Sequence, residues 1–104
     1  MFYQRSFVLS DSYAAQFDAA AGKVTQERST IYGHPADDFA RIAHMAEAIQ
    51  GCKQPVIRHG LYMILAKVAR LVETPDHLDS IIDIMGYARC LAMIVDRDQI
   101  SKNS

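Results

Sequence analysis

This sequence predicts an all-α domain, and three observations predict it. Apolar residues recur at three- and four-residue steps through four long segments, the strongest loop signals fall between those segments, and the one β-tolerant stretch, Met1 to Leu9, has no partner strand anywhere in the chain. At 104 residues the chain is one domain, in the size range where association with further copies often completes the burial of a core.

Residues 1–10 read as an N-terminal arm, residues 11–95 as a single helical domain, and residues 96–104 as a polar tail that should fray. Ser10 or Asp11 can cap a first helix that runs to about Arg28, with Tyr13, Phe17, Ala20, Ala21 and Val24 at helical spacing. Gly22 weakens it. Ser29 to Pro35, STIYGHP, is the clearest loop. Pro35 then suits the first turn of a second helix, where Asp37 and Asp38 meet the positive end of its dipole. Phe39, Ile42, Ala43, Ala46 and Ile49 form its apolar face, and Gly51 stops it.

The third helix, about Val56 to Glu73, carries the longest apolar stripe: Ile57, Leu61, Ile64, Leu65, Val68, Leu71 and Val72. Thr74-Pro75 ends it, since proline cannot continue a helix and restricts the residue before it, and Pro75 can open a fourth helix that reaches about Val95. Two helices therefore meet as a hairpin. On the fourth, apolar residues cover well over half of the circumference, while Asp76, Asp79, Asp83, Gly86, Tyr87 and Cys90 share the rest. Asp79 and Asp83, four apart, project from one face; Lys67 and Arg70 on the incoming helix are placed to approach them. Gly86 costs about 1 kcal/mol against Ala in mid-helix, which is easier to understand where something approaches the backbone closely.

Composition excludes several classes of function. With 22% charged residues and a formal net charge of −1, no basic face calls for nucleic acid, and the scattered Lys and Arg residues give no membrane-surface segment. No run reaches membrane-spanning length, and the opening MFYQRSFVLS lacks the pattern of a signal peptide. Cys52 and Cys90 suit small buried thiols in a reducing, cytoplasmic compartment. His34, His44, His59 and His77 lack zinc-site spacing. The Ser80–His77 pair has no orienting acid or oxyanion loop in view, which argues against nucleophilic catalysis, and the five methionines read as core filling.

The runs YGHPADDFARIA, KVARL and DSIIDIMGYA, in that order, resemble small phage and prophage proteins related to the MazG-like all-α nucleotide pyrophosphohydrolases, over roughly Arg28 to Ile94. The resemblance implies a four-helix bundle, and the apolar circumference of the fourth helix with the stripe of the first predicts that it is completed by oligomerisation as a homodimer or higher homo-oligomer. The resemblance also implies a nucleotide partner and Mg²⁺ held by Asp79 and Asp83. In active members an E-E-x-x-E helix faces an E-x-x-D helix. Here Ser80 stands in place of the Glu of the latter, and Met63, Ile64 and Lys67 stand where the facing glutamates would be. Lys67 with Arg70 suits direct phosphate contact instead, and Tyr87 with Tyr32 the base. The expectation is a nucleotide-directed protein, either a Mg²⁺-dependent pyrophosphohydrolase or a non-catalytic module that binds a nucleotide or a host protein. A purely structural helical module needs no site.

Overall fold

A computed structural model describes residues 12–103, with side chains described through Gln99; the N-terminal arm lies outside these residues. Among the described residues there are four helices and no strand: α1 (Tyr13–Tyr32), α2 (Pro35–Ile49), α3 (Pro55–Glu73) and α4 (Leu78–Asn103). The long stripe of α3 places it at the centre. It packs against α4, α2 and α1, α1 also touches α2, and among the described helices α4 packs on α3 alone.

Four boundaries differ from the sequence reading, each for a local reason. Ser12, rather than Ser10 or Asp11, caps α1, its hydroxyl accepting from Ala15 N–H at 3.1 Å. The same helix runs past Arg28 to Tyr32, because the hydroxyls of Thr25, Ser29 and Thr30 donate back to the carbonyls of Ala21, Thr25 and Glu27 and so stay compatible with helix. Gly33 ends it, its N–H donating to Ser29 O at 3.1 Å. The predicted loop thus shrinks to Gly33 and His34.

At the α3–α4 hairpin, Pro75 does not open α4. It sits second in a turn in which His77 N–H donates to Thr74 O at 3.1 Å, a place that suits its fixed φ. The helix starts at Leu78, with His77 O accepting from Ser80 and Ile81 N–H at 3.1 and 3.3 Å. It then continues through Asn103 rather than ending at Val95; no Gly or Pro follows Gly86 to stop it.

The core is thin. Leu65 and Ala69 of α3 are the fully buried apolar residues among those described, while Phe39, Leu78, Ile82 and Met85 are largely exposed. The radius of gyration is 18.5 Å, against about 13 Å for a compact domain of this length. No helix is long and apolar enough to cross a membrane among the described residues.

Candidate functional site

Polar residues gather where the C-termini of α1 and α3 meet the N-termini of α2 and α4. Thr74, which caps α3, donates its hydroxyl to Ile31 O and so ties the end of α3 to the end of α1. That tie holds Tyr32 over the last turn of α3. The Arg70 guanidinium lies 4.4 Å from the Tyr32 ring centroid and the Arg28 guanidinium 5.1 Å from it, with the His77 ring meeting Tyr32 edge-on at 5.8 Å. A guanidinium over a phenol ring is attractive and needs no ion partner. Arg70 Nε is buried and has no hydrogen-bond partner among the described residues.

Gly33 is required here. Its φ of 77° and ψ of −169° lie in a region essentially reserved for glycine. A Cβ at this position would stand 2.9 to 3.2 Å from the Glu73 carboxyl atoms. Glu73 is held by Arg41 of α2 at 3.2 Å, and Arg41 Nη1 is buried without a partner. His34 caps α2 through its ring, Nδ1 accepting from Ala36 N–H at 3.0 Å. Four residues on, Asp38 is only 4% exposed and its Oδ1 has no partner.

One turn deeper in the hairpin, Lys67 Nζ lies 3.0 Å from Asp83 Oδ2, with the lysine side chain 14% exposed and the aspartate 46%. Ser80, 1% exposed, shares a 2.7 Å hydrogen bond with His77 Nδ1. The pair closes the first turn of α4, and the hydroxyl is too buried to act on a substrate.

The structure therefore joins the sequence-predicted residues in pairs: Lys67 with Asp83, and Arg70 with Tyr32. Among the described residues no hydrogen bond, ion pair or ring contact links exposed Asp79 or half-buried Tyr87 to either pair, and no three His, Cys, Asp or Glu side chains gather as a metal site. Above Gly86 the helix is bare: among the described residues, nothing beyond its own helix backbone and chain neighbours comes within 4 Å of a Cβ position. Sequence reasoning placed Asp38 at the α2 N-terminus, as an acid that could be available to a site, and passed over Arg28, Arg41 and Glu73. The hint was Asp38 itself, a second acid where one suffices to meet the helix dipole.

Residues 16–95 match the family described as Domain of unknown function (DUF6378). The chain belongs to this family. The DUF6378 match takes in α1 from Gln16, all of α2 and α3, and α4 to Val95, and so includes every residue of the site. Among curated proteins, Gene 55 protein of Mycobacterium phage D29 is 37% identical over 70 residues, which is 67% of this chain and 46% of that protein. The chain thus spans about half the length of this phage relative. No solved structure matches it.

Proposed function

We propose that this DUF6378 member is a nucleotide-binding helical module built on a MazG-like bundle, with Lys67 and Arg70 facing phosphate and Tyr32 and Tyr87 shaping the base pocket. The observation that carries the reading is Arg70: a guanidinium held over the Tyr32 ring at 4.4 Å with no acid paired to it among the described residues. A planar donor fixed by stacking rather than by an acid keeps its charge available, which suits recognition of a phosphate. Lys67 supplies a second cation one turn away. Its partner Asp83 is half-exposed and can turn to water when a more highly charged anion arrives.

The donor set does not suit a resident Mg²⁺. That ion asks for a near-octahedral oxygen shell, whereas Asp79 and Asp83 offer two carboxylates on one helix and an ammonium already sits 3.0 Å from Asp83 Oδ2. On this reading Mg²⁺ enters as the counter-ion of the nucleotide, with Asp79 and Asp83 as the acids available to it, and the module binds without turning over. Its working form is a homodimer or higher homo-oligomer. α4 is covered by α3 alone, and Leu78, Ile82 and Met85 stand 49 to 63% exposed, more apolar surface than one small domain ordinarily leaves open.

Calorimetric titration of the full chain with nucleoside triphosphates, first in EDTA and then in Mg²⁺, alongside a pyrophosphate-release assay, tests both parts. Saturable binding in EDTA without release in Mg²⁺ is expected. Release in Mg²⁺ transfers the reading to a pyrophosphohydrolase, and no binding in either condition overturns it.

A further inference from the structure

Beside Tyr32 lies a cavity of about 120 Å³ lined by Arg28, Tyr32, Gly33, Pro35, Asp38 and Phe39, among others. Asp38 is its unexplained member. The side chain is 4% exposed, Oδ1 is buried without a partner, and no cation comes within ion-pair distance of the carboxylate among the described residues. Arg41, three residues along α2, pairs with Glu73 instead, while Arg28 and Arg70 lie on the Tyr32 ring. A carboxylate buried in this way loses its hydration with nothing in return, and a ligand in the cavity that supplied donors to it would offset that loss. Phe39 and Pro35 give that cavity apolar walls, which suits a flat heterocycle with one polar edge.

We propose that Asp38 selects the base of the bound nucleotide, and that the base is guanine. The proposal rests on the nucleotide-binding reading above and deepens it, placing the base on the Asp38 side of Tyr32 rather than against Tyr87. A carboxylate has two acceptors and no donor. Guanine presents N1–H and the N2 amino group side by side, one donor for each oxygen. Adenine and cytosine offer a single amino group beside a ring acceptor that faces the anion. Uracil offers one N–H flanked by two carbonyls, and xanthine sets a carbonyl where guanine has its amino group. Asn at this position keeps the shape and replaces one acceptor by a donor, which is the complement of xanthine. Arg28, exposed at the rim beside the Tyr32 ring, supplies a further cation for the phosphates.

The test is calorimetric titration of the full chain and of Asp38→Asn with GTP, XTP and UTP in EDTA. The parent should bind GTP at least about tenfold more tightly than XTP or UTP, as a good bidentate base contact gives. Asp38→Asn should bring XTP level with GTP or past it. Parent affinities within about twofold of one another overturn the assignment, as does a variant whose GTP-to-XTP ratio equals the parent's. The parent ratio decides alone where the variant does not fold. Binding without base preference removes this inference and leaves the nucleotide-binding reading standing, whereas no binding of any of the three removes both.

Discussion

Lys67 and Asp83 offer a sharp energetic test, because they are unequally buried. At 3.0 Å the bare attraction between unit charges is about 1.4 kcal/mol in water and about 5.5 kcal/mol at an effective dielectric of 20. Desolvation of the lysine offsets much of the difference, which leaves a net coupling of about 1–2 kcal/mol. The single substitutions should differ. Asp83→Asn strands an ammonium that is only 14% exposed, at a cost of about 1.5–3 kcal/mol, the range for a hydrogen bond to a charged group. Lys67→Met keeps an apolar stem on the core and leaves an aspartate that is 46% exposed and can hydrate, so it should cost under about 1 kcal/mol. Urea unfolding of the parent, both single variants and the double variant, at one fixed protomer concentration, measures all three quantities. A Lys67→Met variant less stable than Asp83→Asn, or a coupling below about 0.3 kcal/mol, refutes the reasoning.

Three further outcomes are expected. Gly33→Ala places a Cβ against the Glu73 carboxylate in a backbone region that L-residues avoid, and thermal unfolding should show a loss of about 1–3 kcal/mol. Arg70→Lys removes the planar stack on Tyr32 while keeping the charge, and should weaken nucleoside triphosphate binding by roughly tenfold in calorimetry. Light scattering should find at least a dimer at micromolar concentration, and Met85→Glu, a charge on the open face of α4, should shift it toward monomer; a monomeric parent contradicts the oligomer.

The four helices were legible because each carries an apolar stripe and a breaker between it and the next: Pro35, Gly51 and Pro75 all fall at or between helix ends. What misled was local chemistry that stripes do not record. Ser29 and Thr30 look like loop residues but satisfy their hydroxyls inside α1, and Pro75 serves a turn equally well as a helix start. Of the site, periodicity could align Lys67 with the face of Asp83 across a hairpin. It could not show that they pair with each other, because that depends on how deep the lysine sits. Nor could it find the Tyr32–Arg70 contact, which joins the end of α1 to the distant end of α3, or the burial of Asp38, which depends on how α2 turns back beside α1.

The central claim is that Arg70 offers a nucleotide phosphate a guanidinium with no acid paired to it among the described residues, and its Nε–H reports on that group directly. In ¹H–¹⁵N spectra of the full chain, with the Arg70 Nε–H signal assigned by its loss in Arg70→Lys, titration with GTP in EDTA should move that signal saturably, in step with the calorimetric isotherm. A signal that stays in place while GTP binds, or while no binding occurs at millimolar nucleotide, contradicts the account.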